Sequence, residues 1–174
     1  MEKLNTHYPT IVFRNLPPLF EPSIITKING ISTKKHERIY IHYKQKNISL
    51  YTQFVVDIAS NFLRLYNFEH NNKIWFMDCV RYNLHEDKKG IDSTLAWHCE
   101  NDNESDLISV LFYLRKDKGI INGDLEYKDK DNKKQLLNIY SGLTIIMDGR
   151  VQHKPQDPYG TGKRELIVVG FRTY

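Results

Sequence analysis

A chain of 174 residues with 40% hydrophobic and 26% charged side chains can bury one well-formed core, which excludes the disordered and fibrous classes and leads us to expect one domain over residues 1–174. The formal net charge of +4 is dispersed: lysines alternate with acids, as in Lys128-Asp129-Lys130-Asp131, a pattern of solvated surface rather than of a nucleic-acid stripe. Two cysteines, Cys79 and Cys99, are too few for a disulfide scaffold, and a reducing compartment follows. The opening MEKLNTHYPTIVF has no signal-peptide core, and no run approaches the roughly 20 apolar residues of a membrane span, so a soluble, intracellular, cytoplasmic protein is expected.

In chain order, TIVFRN reads as a short strand broken by Pro17-Pro18, and Ser23 caps a short helix through Lys27 that ends near Gly30. ERIYIHY alternates apolar and polar residues and predicts a half-buried strand over 37–43. From Ser49 to Tyr66, Leu50, Phe54, Ile58, Phe62 and Leu65 recur at spacings of three and four, with Asp57, Asn61 and Arg64 on the other side. This predicts an amphipathic helix lying on a sheet. After residue 73 the pattern changes to short strands separated by glycine turns: KIWFMDCVRYNL, STLAWHCE, LISVLFYL, GDLEY, LTIIMD and RELIVVGF. Such spacing predicts a β-sandwich or barrel over 73–174, with 1–72 as its helical and strand support. The polar stretch His85 to Asp92 reads as an exposed loop able to cover a site, and Asp129 to Gln135 as a charged loop or hairpin tip.

Of seven histidines, His7, His36, His42, His70 and His85 read as surface or packed residues. His98 differs, because in AWHCEND an apolar segment turns polar with a carboxylate two residues on. On a strand, His98 and Glu100 share one face while Trp97 and Cys99 face away. His153 follows a buried strand and a turn at Asp148-Gly149. Two imidazoles and a carboxylate on one side of an ion leave positions open for substrate and oxygen, as in non-haem Fe(II) oxygenases. Asp102 is the alternative carboxylate. Arg164 is the first inward residue of the last apolar strand. A buried arginine needs an anionic partner, and its fork grips a carboxylate through two parallel hydrogen bonds. Tyr82 and Tyr113 lie on strands flanking the proposed metal segment.

The ordered set VRYN, WHCEND, LFYLRKD, NGDLEY, HKP and GTGKRELIVVGF, from about Trp75 to Phe171, resembles the Fe(II)- and 2-oxoglutarate-dependent dioxygenases, most nearly their prolyl-4-hydroxylase-like members. The resemblance implies a double-stranded β-helix (jelly-roll, cupin-like) core, mainly β with flanking helices. It implies Fe(II) held by His98, Glu100 and His153, with 2-oxoglutarate as cosubstrate, O₂ as oxidant and ascorbate as a supporting reductant. Arg164 and Tyr113 then bind the distal carboxylate of 2-oxoglutarate, and Tyr82 lines the cosubstrate. The implied reaction is C–H hydroxylation of a protein or peptide side chain. Two features depart from the family pattern: Glu100 stands where Asp is usual, and Asn122-Gly123 replaces a double glycine. CVRYN and WHCEND also resemble AlkB-like nucleic-acid demethylases, but those carry a second arginine six residues after the first, where this chain has Gly170. A β-helix binding module without catalysis is the rival of a different class.

Overall fold

The computed structural model describes residues 11–15, 22–28, 31–33, 38–42, 44, 47–71, 73–85, 96–100 and 106–173. Expectations placed on Pro17-Pro18, Gly30, Glu37, Tyr43, His7, His36, Asp102 and residues 86–92 lie outside them. The elements are β1 (Ile11–Asn15), a 3-10 turn (Pro22–Lys27), β2 (Ile31–Thr33), β3 (Arg38–His42), α1 (Leu50–Leu65), β4 (Ile74–Leu84) and β5 (Leu107–Lys116). There follow β6 (Ile120–Ile121), β7 (Leu125–Lys128), β8 (Lys134–Leu137), β9 (Leu143–Asp148), β10 (His153–Pro155), β11 (Tyr159–Gly160) and β12 (Gly162–Arg172). The major sheet has seven strands in the order β1-β9-β5-β12-β4-β3-β2. A three-stranded sheet, β10-β7-β8, and the two-stranded ribbon β11-β6 complete the architecture. Paired strands are antiparallel throughout, as the expected double-stranded β-helix requires.

Strand alternation divides the major sheet into two faces with different duties. Met77 and Cys79 of β4, Val110 and Phe112 of β5, Ile146 of β9 and Ile167 and Val169 of β12 point to one side. There they pack with Val55, Val56, Ala59 and Leu63 of α1 and with Ile24 and Ile25. Their neighbours Leu111, Tyr113, Ile145, Met147 and Leu166 point to the other, where they meet Leu125, Tyr127 and Leu137 of the three-stranded sheet. The helix therefore supports the sheet from behind, and any site between the sheets lies on the opposite face.

The limits of α1 follow its capping chemistry. Ser49 accepts a hydrogen bond from Thr52 N at 3.1 Å, an N-cap. At the other end Asn67 adopts φ 59°, and the amides of Asn67 and Phe68 donate to Arg64 O and Leu63 O at 3.0 Å each. Those are the two bonds of a Schellman cap, with asparagine in glycine's usual place. The buried face agrees with expectation at Phe62 and, in part, at Ile58, and differs from it elsewhere. Thr52, Val55, Val56, Ala59, Ser60, Phe62 and Leu63 are inward, whereas Leu50, Phe54 and Leu65 are exposed. Small and β-branched residues let the helix axis approach the sheet, and the bulkier stripe, which fits the same period, is turned outward.

STLAWHCE is not the regular strand expected of it. Among its described residues, His98 joins β10 through a single antiparallel bridge to His153. The expected hairpin tip is present as the turn between β7 and β8, where Asp129 Oδ1 accepts from the amides of Asp131 and Lys133. His70, expected to be packed or on the surface, is packed: its ring bonds Ser60 Oγ at 2.8 Å and meets Phe171 edge-on.

The two faces of α1 are distinguished by truncation. Leu63→Ala, at a fully buried position, is expected to cost about 2 to 5 kcal/mol. Phe54→Ala, at an exposed one, should stay within about 0.5 kcal/mol. Urea unfolding midpoints of the two variants check this directly.

Candidate metal centre

His98 and His153 are held together by their main chains before any side chain is considered. The His98 amide donates to His153 O at 3.0 Å and the His153 amide to His98 O at 2.9 Å. Such a mutually bonded antiparallel pair puts both side chains on the same side, and the ring centroids are 4.3 Å apart. The amide of Glu100 is fixed in turn by Gly149 O at 2.9 Å. Cys99, between the two polar residues, turns its thiol to Arg150 O. Trp97 lies against Lys128 and Lys134, away from the histidines as expected.

Both rings are oriented by one local device. His98 Nδ1 meets Ala96 O at 2.9 Å, and His153 Nδ1 meets Val151 O at 3.0 Å, in each case the carbonyl two residues earlier. A carbonyl only accepts, so each Nδ1 carries the proton and each Nε2 presents its lone pair. Glu100 Oε1 lies 3.6 Å from His98 Nε2 and 3.5 Å from His153 Nε2. The three groups offer ligand atoms within 4.8 Å of one another. Ligands each about 2.1 Å from one ion stand about 3 to 3.5 Å apart, a spacing that the carboxylate makes with each imidazole.

The electrostatics agree. Burial by itself would raise the Glu100 carboxyl, but the contacts of His153 and His98 outweigh it and hold the group down at about 2. His98 is raised, chiefly by Glu100, against the opposing effect of its own burial. Two lone pairs and a carboxylate aimed at one point call for a cation there, either a proton or a metal. His153 is buried, whereas His98 and Glu100 are half-exposed, so the group is closed on the β10 side and open on the other.

The second feature of the site is an arginine without an acid. Arg164 is buried, at 2% exposure, and its Nε donates to Gly123 O at 3.1 Å. The guanidinium carbon lies 5.4 Å from the ring centroids of both Tyr82 and Tyr113. Tyr82 is its register partner on β4. Among the described residues no carboxylate pairs with it, although Lys116, opposite it on β5, is tied to Asp124 at 2.6 Å. Burial pushes the Tyr113 hydroxyl up, and the charge on Arg164 opposes that rise. A buried guanidinium between two phenols, with its terminal nitrogens uncommitted to any acid among the described residues, suits a ligand carboxylate.

Asn122-Gly123 does the work expected of a double glycine. Both residues have positive φ, 58° and 73°, and asparagine is among the few side chains that tolerate this. A Cβ on Gly123 would lie 3.0 Å from Arg164 Nε, so glycine is needed where the backbone carries the carbonyl that holds the arginine. At Gly170, where the AlkB-like pattern has its second arginine, a Cβ would come within 2.1 Å of the Phe76 ring. No side chain fits there, and the nearby Arg172 lies over Trp75, 3.5 Å from its centroid. Sequence reasoning missed the two carbonyls that set the histidine tautomers. The only signal for them was the matching offset of Ala96 and Val151.

No protein-family model matches the sequence, and no curated protein does. Solved structures do. A protein named IDO from Bacillus thuringiensis superposes with a TM-score of 0.58 at 14% identity, covering 87% of this chain and 82% of that one. An oxidoreductase of the 2OG-Fe(II) oxygenase family from Burkholderia pseudomallei gives 0.60 at 12% identity over 87% and 74% of the two chains. A prolyl-4-hydroxylase from Pseudomonas putida gives 0.58 at 13% identity over 97% and 94%. The fold is thus that of the double-stranded β-helix oxygenases.

A divalent ion at this centre competes with the proton on His98. Because His98 is raised, Co(II) affinity followed by its visible absorption should fall with decreasing pH from above the usual imidazole value of about 6.5. Glu100, at about 2, stays ionised throughout and contributes nothing to that slope. Glu100→Ala and His153→Ala should each weaken binding by about 100-fold or more. Retention in Asp102→Ala would identify Glu100 as the carboxylate ligand.

Proposed function

We propose that this chain is an Fe(II)- and 2-oxoglutarate-dependent dioxygenase that hydroxylates a C–H bond of a protein or peptide side chain, with residues 1–174 forming one catalytic unit. The observation that carries the proposal is the pairing, within one sheet sandwich, of the His98, Glu100 and His153 donor set with a buried Arg164 that has no acid among the described residues. The first calls for a cation and the second for an anion. A metal ion with a dicarboxylate cosubstrate answers both.

Bound there with 2-oxoglutarate and O₂, Fe(II) supplies the oxidising chemistry, in which decarboxylation of the cosubstrate to succinate and CO₂ is coupled to hydroxylation of the substrate. His98, Glu100 and His153 hold the ion from one side and leave its remaining positions to ligands. The Nδ1 bonds to Ala96 O and Val151 O keep both imidazoles in the ligating tautomer, so no tautomer change precedes binding. Arg164, its Nε committed to Gly123 O, offers its remaining N–H groups to the distal carboxylate. The Tyr113 hydroxyl would share that carboxylate, and Tyr82, its ring 5.4 Å from the guanidinium carbon, would line the cosubstrate. Leu125, Ile139 and Leu166, packed around Tyr113, exclude water there and strengthen the ion pair.

Likeness to the Pseudomonas putida prolyl-4-hydroxylase over nearly the whole chain supports a peptidyl substrate. The nucleic-acid alternative is disfavoured by Gly170, whose place for a side chain is filled by Phe76. A binding module without catalysis does not require both an intact donor set and a buried arginine that has no acid among the described residues. No helix among the described residues is long and apolar enough to cross a membrane.

Succinate formation with Fe(II), 2-oxoglutarate, ascorbate and a peptide panel tests the activity. Arg164→Ala is expected to weaken 2-oxoglutarate binding by about 10- to 150-fold, the worth of one charge-assisted contact of about 1.5 to 3 kcal/mol. Arg164→Lys should fall between, since lysine keeps the charge and loses the fork. Titration of the Zn(II)-loaded protein by calorimetry reads both, and equal affinity in wild type and Arg164→Ala would sink the cosubstrate assignment.

A further inference from the structure

The site-side face of the major sheet is not uniform. Over β5, β9 and β12 it is apolar and lies under the three-stranded sheet. Over β3 and β4 the same face carries Arg38, Tyr40, Asp78 and Tyr82 among the apolar Phe76 and Val80, while the alternate residues Ile39, Ile41, Met77 and Cys79 pack against the helix side. Tyr40 stands opposite Asp78 in the β3–β4 register, and Tyr82 stands opposite Arg164 in the β4–β12 register. These four side chains share the face of the sheet that carries Arg164.

Arg38 is fixed within it. Its Nε donates to Asp78 Oδ1 at 2.7 Å and its Nη2 pairs with Asp78 Oδ2, two parallel bonds that use one edge of the guanidinium. The ring of Tyr40, stacked on Phe76, lies 5.9 Å from the guanidinium carbon. The Asp78 side chain is 11% exposed and the Arg38 side chain 47%, so the acid is the buried anchor and the base faces outward. Arg38 Nη1 has no hydrogen-bond partner among the described residues. The other long-range pair of β4, Arg81 with Glu165, leaves its arginine only 22% exposed. Arg115–Asp117 and Arg150–Asp148 pair across two residues of chain. Proximity to the centre shows in the charges. Burial raises the Asp78 carboxyl, Arg38 opposes the rise, and the Glu100 carboxylate adds to it. Tyr40 is likewise raised by burial, with Glu100 contributing.

We propose that Arg38, oriented by Asp78, selects the substrate by receiving one of its carboxylates on the free edge of the guanidinium. The reading rests on the proposed oxygenase only for what happens at the reacting carbon. One arginine backed by a paired acid has little net charge to offer a phosphate dianion, but its planar edge matches the two oxygens of a carboxylate. An acidic side chain, a peptide C-terminus and a free amino acid all present that group. Arg38 is a substrate-binding residue and Asp78 a positioning residue, because Asp78 acts through Arg38.

Binding and turnover are measured separately. The Zn(II)-loaded protein with saturating 2-oxoglutarate is titrated with N-acetyl-leucine and with N-acetyl-leucinamide, following the Nε–H resonance of Arg38. The carboxylate is expected to shift that resonance and to bind at least tenfold more tightly than the amide. In Arg38→Met the preference should vanish, and in Asp78→Asn it should weaken. The double variant Arg38→Met with Asp78→Asn, which leaves no buried charge unpaired, should behave as Arg38→Met does if the single variant folds poorly. Equal binding of acid and amide by wild type, or a preference that survives in Arg38→Met, overturns the proposal. A tenfold loss of 2-oxoglutarate affinity in Arg38→Met also overturns it, by placing Arg38 at the cosubstrate. Succinate formation with Fe(II) is then compared among free amino acids, C-terminally amidated peptides with acidic side chains, and peptides without acidic side chains whose C-terminus is either free or amidated, which separates the sources of the carboxylate. Absence of succinate in every arm counts against the oxygenase and leaves the binding result to decide for or against Arg38.

Discussion

The reciprocal main-chain pair between His98 and His153 is the contact on which the site depends. These residues are far apart in the chain, and one comes from a segment with no regular strand of its own. Two backbone hydrogen bonds, at 3.0 and 2.9 Å, bring them side by side in a relation that side-chain packing alone would not enforce. The bridge sets the ring separation, and the local carbonyls set the tautomers. The Gly149 carbonyl then brings Glu100 into place. Each of these engages the main chain, so the donor set can form without a cation to gather it, and the ordering cost is met in folding rather than in binding.

Arg164 shows the complementary principle. Other arginines of the central strands, Arg38, Arg81 and Arg115, have acids beside them. Arg164, the most buried of them, is held instead by a carbonyl and two aromatic rings. Burying a guanidinium under such conditions is costly. The fold tolerates it because Nε is satisfied by Gly123 O, and because glycine leaves room for that carbonyl to approach. Asn122 and Gly123, both at positive φ, are therefore part of what holds Arg164 in place although neither bears a charge.

Legibility in the sequence followed the range of each interaction. Short apolar runs between turns are a local property, and they announced β4, β5, β7, β9 and β12, whereas β6, β8 and β11 were not foreseen and the strand expected over STLAWHCE is, among its described residues, a single bridge. The helix was legible in extent but not in orientation. Leu50, Phe54 and Leu65 satisfy the helical period as well as Val55, Val56, Ala59 and Leu63 do, and only the closeness of the sheet decides for the smaller set. The cap at Asn67 and the pairing of Arg38 with Asp78 were not foreseen. The first depends on an uncommon backbone conformation, the second on a β3–β4 register that alternation does not specify. Gly170 was legible as a missing arginine, but its reason, the Phe76 ring, belongs to the neighbouring strand.

The division of the major sheet also bears on where specificity can reside. Its helix-side face is wholly structural, and its other face under the three-stranded sheet is apolar around Tyr113 and Arg164. Changing residues there would disturb the proposed anchor of the cosubstrate along with any selectivity. Strands β3 and β4 lie toward the β2 edge of the strand order, and Arg38 and Asp78 are bonded to each other rather than to any of the three candidate ligands. A polar pair at that position, with its acid buried and its base exposed, is physically separable from the ion and the cosubstrate. This is what a selecting residue requires: it can discriminate between substrates while the chemistry beneath it stays the same.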